Sequence, residues 1–397
     1  MERLKSILIL VTLAFAMLSC GKDPIATTGP APAPAPAPST VGSLASYNKI
    51  PLPLVAGTLI IPNLAFFHVT NRGPYIQIVN TVKKLWSVHK YHGSGSPAWS
   101  SFTPDYAVFD YIPSKFTTEN DREFSIFWGN TNLSDDKYGM YNLNNGSPSF
   151  EYVVPDDPKG PGAFRKVIPA RKGFQHLWGI GAGNEIWSET AIAVPKTFAK
   201  IVPEGKIPID NSSLQSIGQG ALKHFLADPD EETVLWCANA RGLFKVGTVG
   251  STAGSTPGIL LKWDFSSISS TDVIGAIIKT DKNLIVQFGS RVYKLEGTSF
   301  KPLGSLNLPN NAGVFANIAT NGSTIFASDG TYYDENTNSW KSFIGTGKNL
   351  SGVDATKYAE LKGYCSTGSA IGVLQGSASG PVYLLTPTEL VAISPIL

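Results

Sequence analysis

The chain has 397 residues, a net charge of +2 and only 16% charged residues. That balance gives no electrostatic case for nucleic acid, which needs a basic patch or stripe. Its 39 Gly and 28 Pro suit a protein of many turns and few helices.

The N-terminus comes first. Positive charge sits within Met1–Lys5, and Ser6 to Leu18 is almost wholly apolar. A charged start and a short greasy run describe a secretory signal peptide. The run falls short of the ~20 apolar residues of a transmembrane helix, although an uncleaved anchor helix is the alternative. Met17-Leu-Ser-Cys20 resembles a bacterial lipobox, with Ser19 and Gly21 fitting well. The resemblance implies that Cys20 is lipidated and becomes the new N-terminus, and that 1–20 is a lipoprotein signal peptide. Lys22-Asp23 resembles a fragment of the charged tag that sends lipoproteins outward in the Bacteroidota. Together these imply a bacterial cell envelope, an anchor to the outer membrane through lipid on Cys20, and exposure at the surface.

Alternating Ala and Pro follow, from Gly29 to Thr40. Proline at every second position fixes φ and removes a donor, so helix and sheet are both blocked. Such a segment takes polyproline II at ~3.1 Å per residue and reaches roughly 37 Å. Residues 21–45 are therefore a spacer, and 46–397 the folded domain.

Within that domain one unit recurs: a short apolar strand, a tight turn and a second strand. Thr233 to Val246 turns at a loop ending in Gly242. Leu284 to Leu295 turns at Gly289-Ser290, a type II′ signal, and Thr324 to Tyr333 at Asp329-Gly330, a type I′ signal. Weaker copies span 65–78, 124–143, 185–194 and 370–385. The turns fall near 70, 129, 189, 239, 289, 329 and 376, a spacing of roughly 40–60 residues. Blades of about 40–50 residues are the mark of a propeller. A solenoid would need uniform short repeats and end caps. The reading is an all-β chain, a seven-bladed β-propeller. Ring closure pairs Glu389–Ser394 with an early strand near 50–57, which removes open sheet edges. Inner strands are expected near 273–278 and 314–319.

Two blades carry family resemblances. Thr233-VLWCANARGLFKV-246 resembles the repeat of two-component-regulator propellers. Thr331-YYDENTNSW-340 resembles the kelch pattern of Tyr-Asp, a Thr-Asn turn and Trp. Both imply the propeller and no particular subfamily. Cys237 and Cys365 each sit in a strand-like run, so they either pair in an exported chain or remain two buried thiols.

Candidate functional residues are chosen by position. Asp110, His176 and His224 are candidates for the channel lining. His176 and His224 stand 11 and 12 residues before Trp187 and Trp236, as if on matching innermost strands. Two such ligands do not complete a metal site, which needs three or four, so no metal and no cofactor are expected. Leu85 to Phe102 gathers Trp86, His89, Tyr91, His92 and Trp99 around a Gly-Ser-Gly turn. Exposed loop aromatics are stacking platforms for sugars or anchors for proteins, whereas the alternative makes Trp86 and Trp99 blade core. The long basic stretch from Pro155 to Phe174 is placed on the rim. Asp135-Asp136 and Asp228 to Glu232 lack the spacing of a calcium loop and read as charged turns.

Three function classes fit: a monomeric binding or scaffolding module for a glycan or protein, a propeller enzyme acting on polysaccharide (hydrolase or lyase), and an envelope component with no ligand of its own. No catalytic residue is assigned, because no pair has a convincing spacing. The expectation is binding.

Overall fold

A computed structural model describes residues 42–59, 67–70, 73–80, 85–93, 98–102, 107–114, 124–130, 136–142, 149–154, 166–169, 177–181, 183–189, 198–207, 222, 224–231, 233–239, 242–248, 258–265, 274–308, 317–367, 370–373 and 380–397. Residues 1–41, with the signal-like segment, Cys20 and the Ala-Pro run, lie outside the described residues. Val41–Leu397 forms one compact unit.

Among the described residues the strands form seven antiparallel sheets, six of four strands and one of five. The five-stranded first sheet holds Thr58–Leu59, Phe67–Thr70, Gly73–Asn80, Leu85–Tyr91 and Trp99–Phe102. The second runs from Ala107–Ser114 to Ser149–Val154, the third from Lys166–Pro169 to Phe198–Val202, and the fourth from His224–Ala227 to Gly258–Asp264. The fifth runs from Ile274–Lys279 to Ser299–Ser305, and the sixth from Ile318–Thr320 to Ser339–Ser342. The seventh is discontinuous in sequence: Ala370–Val373, Val382–Leu385 and Glu389–Ile393 are completed by Tyr47–Pro51.

The first strands face one another around the ring. Phe67–Thr70 neighbours Ala370–Val373, which neighbours Ile318–Thr320, and so on back through Ile274–Lys279, His224–Ala227 and Lys166–Pro169 to Ala107–Ser114. The second sheet meets the first through Leu85–Tyr91. Ring closure is the pairing of Tyr47–Pro51 with Glu389–Ile393, from Tyr47 opposite Ile393 to Pro51 opposite Glu389. The early strand thus lies slightly ahead of the expected 50–57 run. It stops at Pro51, beyond which Pro53 would again interrupt a ladder.

Sequence pattern follows depth. Second strands lie mid-sheet, sandwiched between neighbouring sheets, so Val234–Ala238 and Leu284–Phe288 are buried at every position. Burial on both faces favours apolar runs; the one polar residue in these two strands, Gln287, donates its Nε2–H to Gly289 O at 2.8 Å. Outermost strands such as Ser299–Ser305 are largely exposed, burying only Leu303. Lysine is nonetheless placed with purpose. Tyr75–Lys90, Trp187–Lys200, Trp236–Lys245 and Phe244–Lys262 are direct cross-strand partners. Each ammonium lies 4.8–6.0 Å from the centre of its partner's ring. The aliphatic stem covers the aromatic face while the charge stays wet.

Several local expectations are corrected. At Asp329-Gly330 only Gly330 takes a positive φ (88°), and its N–H donates to Ala327 O at 3.1 Å. A type I′ turn needs both central residues positive, so this is a tight turn ending in glycine. Ile186–Glu189 pairs with Phe198–Val202, while 191–194, its expected partner, lies outside the described residues. Cys365 is not in a strand. It belongs to a helix, Gly352–Thr367, between the sixth and seventh sheets. Cys237 and Cys365 are both buried and are not joined in a disulfide, and burial pushes the Cys365 thiol up to about 12.

The helix covers the closing strand. Glu360 accepts hydrogen bonds from Tyr47 Oη (2.5 Å), Lys49 Nζ (2.8 Å) and Tyr364 Oη (3.3 Å). Tyr364 Oη also donates to Glu389 at 2.8 Å. Burial, together with Glu360, pushes Tyr47 up to about 12. Leu361 and Cys365 anchor the helix in an apolar cluster with Phe326, Phe343, Ile371 and Val391.

Candidate functional site

The aromatic segment 85–102 is the last hairpin of the first sheet, Tyr91 lying opposite Trp99 and His89 opposite Ser101. Because side chains alternate along a strand, His89 and Tyr91 share one face. Trp86 lies in the same strand, opposite Val79. Tyr91 and Trp99 pack against Ile50, Leu52 and Leu390 of the closing region. Their ring centres are 5.2 Å apart, tilted at 52°. Trp99 is half-buried, and its Nε1–H donates to Pro51 O at 3.0 Å. Hence Trp99 ties the outermost strand of the first sheet to that of the seventh.

His89 is 8% exposed. Its Nε2 lies 2.8 Å from Ser87 Oγ, and its Nδ1 has no hydrogen-bond partner among the described residues. Burial pushes the imidazole down to about 4, so it is neutral at neutral pH. His92 is exposed and lies 2.6 Å from Ser100 Oγ; burial, then Lys90, lowers its pKa. One hairpin therefore brings Tyr91 and Trp99 into contact, with His89 and His92 close by in sequence, whereas Trp86 lies five residues back along the strand from Tyr91. Of these, His89 is enclosed and His92 faces solvent.

The channel candidates part company. Asp110 is in the innermost strand of the second sheet, opposite Trp128 at a β-bulge. His224 opens the innermost strand of the fourth sheet, opposite Ala238, and is half-buried. His176 lies outside the described residues, just ahead of Leu177–Ile180, the second strand of its sheet. The equal spacing to tryptophan does not mark equal places: Trp187 is in a third strand and Trp236 in a second. Most of the stretch from Pro155 to Phe174 also lies outside the described residues. Asp135 does too.

Sequence reasoning missed the role of Asp228, which is 1% exposed. Its carboxylate accepts from Trp236 Nε1 (2.7 Å), Lys279 Nζ (2.7 Å) and the N–H groups of Asp230 (2.8 Å) and Glu231 (3.2 Å). Burial alone would raise its pKa, but the hydrogen bonds from Lys279 and Trp236 outweigh it and the net shift is downward. The group clamps the fourth sheet to the fifth, since Lys279 ends the innermost strand of the fifth. The reading of 228–232 as a charged turn misses that clamp, which only tertiary packing creates. Among the described residues no cluster of three or more His, Cys, Asp or Glu could hold a metal.

A ring of antiparallel sheets with facing innermost strands and a last sheet closed by the N-terminal strand defines a β-propeller. No protein-family model matches the chain, and neither does any curated protein. Among solved structures it is similar to the β-propeller domain of Cps50 (Swd1) from Myceliophteria thermophila. Identity is 10% and the TM-score 0.50, over 89% of this chain and 99% of that one. It is also similar to YCF48 from Cyanidioschyzon merolae, at 12% identity and TM-score 0.48, over 88% and 98% of the two chains. Sqt1 from Saccharomyces cerevisiae gives 12% and 0.46, over 84% of each. At these identities the likeness concerns the fold alone.

Proposed function

We propose that the protein is a lipid-tethered binding module of a bacterial cell envelope, a seven-bladed propeller held off the outer membrane on an Ala-Pro rod and recognising a protein or glycan partner. The observation that carries this reading is the closed ring: Tyr47–Pro51, early in the chain, completes the seventh sheet as its outermost strand, and a rigid ring of sheets is a scaffold that presents its connecting loops for recognition. Two carboxylates support the same reading. Buried Asp228 clamps two sheets and Glu360, at the surface, holds the closing strand, which are tasks of a rigid platform.

Metabolic labelling with a fatty-acid probe tests the tether. Label is expected on the wild type and not on Cys20→Ala, which should be released in soluble form; label surviving in Cys20→Ala would sink it. Binding is tested by photo-cross-linking in intact cells beside a glycan array probed with the full chain. Capture of neither a protein nor a glycan would leave the binding reading without support.

A further inference from the structure

The rim of the ring carries lysine in a regular way. The outermost strands of the third to seventh sheets are Phe198–Val202, Gly258–Asp264, Ser299–Ser305, Ser339–Ser342 and Tyr47–Pro51. Each has one lysine, and those lysines, Lys200, Lys262, Lys301, Lys341 and Lys49, are all exposed. The second strands of the same sheets have none. An outermost strand has a ladder neighbour on one side only, which makes it a template for a strand of another chain.

Three of these five strands are protected in other ways. Ser299–Ser305 contains Pro302, which has no N–H to pair. Ser339–Ser342 is only 4 residues long. Tyr47–Pro51 ends in proline, and Trp99 of the first sheet already donates to Pro51 O at 3.0 Å. Their lysines are also neutralised, Lys301 by Glu296, Lys341 by Asp334 and Lys49 by Glu360. Phe198–Val202 and Gly258–Asp264, by contrast, hold no proline. Among the described residues Lys200 and Lys262 have no ion pair. Each lies instead over a ring of the next strand in, Trp187 at 4.8 Å and Phe244 at 6.0 Å. The two strands adjoin, since a side chain at Gly258 would begin 3.7 Å from Ile201 O. Between them they show Leu261, 50% exposed, and half-buried Ala199, Ile201, Ile259 and Leu260.

We propose that Lys200 and Lys262 keep this chain from pairing with a second copy of itself along the outer edges of the third and fourth sheets. Lys200 is the middle residue of its strand. Antiparallel pairing of Phe198–Val202 with the same strand of another copy, in full register, therefore sets Lys200 opposite Lys200. Like charges directly opposite one another are destabilising. The middle residue of Gly258–Asp264 is Leu261. Self-pairing there gains an apolar contact at Leu261 but sets the Lys262 ammonium against Leu260 of the other copy, and burying an unpaired charge outweighs that contact. The proposal is independent of the binding-module reading.

The test is the oligomeric state of the purified full chain in detergent, measured by sedimentation equilibrium. The wild type and the charge-keeping pair Lys200→Arg with Lys262→Arg are expected to stay monomeric. Lys200→Val with Lys262→Val, which puts strong strand formers at both positions, should self-associate roughly tenfold more tightly or better. Its dimer should show new hydrogen-exchange protection in Phe198–Val202 and Gly258–Asp264. Lys200→Thr with Lys262→Thr removes the charge at a polar strand former, should associate in the same strands, and serves if the valine pair fails to fold. Lys341→Val, on the short and neutralised edge of the sixth sheet, should remain monomeric. Uncharged pairs that both stay monomeric overturn the proposal, as does equal association by the wild type or the arginine pair. Equal association by Lys341→Val, or association without new protection in the two strands, overturns it as well.

Discussion

His89 shows how a residue that looks functional in sequence is spent on packing. Its imidazole, enclosed between the first and seventh sheets, has a pKa pushed down to about 4 by burial, against about 6.5 for an open chain. The fold therefore holds it neutral while the unfolded chain takes up a proton. Stability from this site is whole above about pH 6.5 and is lost as pH falls toward 4, a total of roughly 3 kcal/mol. Urea unfolding at pH 7 and pH 4 should show the wild type losing about that much more than His89→Gln. Equal losses would mean that the ring is solvated. Nothing in the sequence separated His89 from His92, three residues on. Period-2 alternation puts them on opposite faces only once the strand and its register are fixed.

At the scale of elements, several hairpins were legible where an apolar run met a turn signal. Val234–Ala238 with Gly242–Gly247, and Leu284–Phe288 with Arg291–Glu296, pair where the pattern places them. Gly289 is positive at φ 52°, as a II′ turn needs of its first central residue. The helix was not legible. In Gly352–Thr367 only Leu361 and Cys365 are fully buried, with Tyr358 and Tyr364 partly so. The stripe is too narrow for a strong 3.6-residue period, and Gly352, Gly363, Thr356 and Thr367 dilute helix propensity. What holds the helix is tertiary: Glu360 on Tyr47 and Lys49, and Leu361 in the cluster below. Leu361→Ala should therefore cost about 2–5 kcal/mol and lower the single melting transition of the whole unit. A separate early transition, with the main one unmoved, would show the helix to be an accessory.

For the whole molecule, repeat spacing pointed to a propeller and to closure by an early strand, because a ring of sheets leaves only short, protected edges and must join its last sheet to its first segment. The assignment of interior polar groups was not readable, since Asp228 and Lys279 are 51 residues apart and meet only in the fold. The account stands on the closed ring, with Tyr47–Pro51 as an integral strand of the seventh sheet. Hydrogen exchange followed by mass spectrometry measures this directly. Those amides of 47–50 that point into the ladder with Glu389–Ile393 should open only with global unfolding, at the same free energy as the ladder amides of Val382–Leu385. Exchange of all the amides of 47–50 at the rate of an unstructured chain, with the other strands still protected, would contradict it.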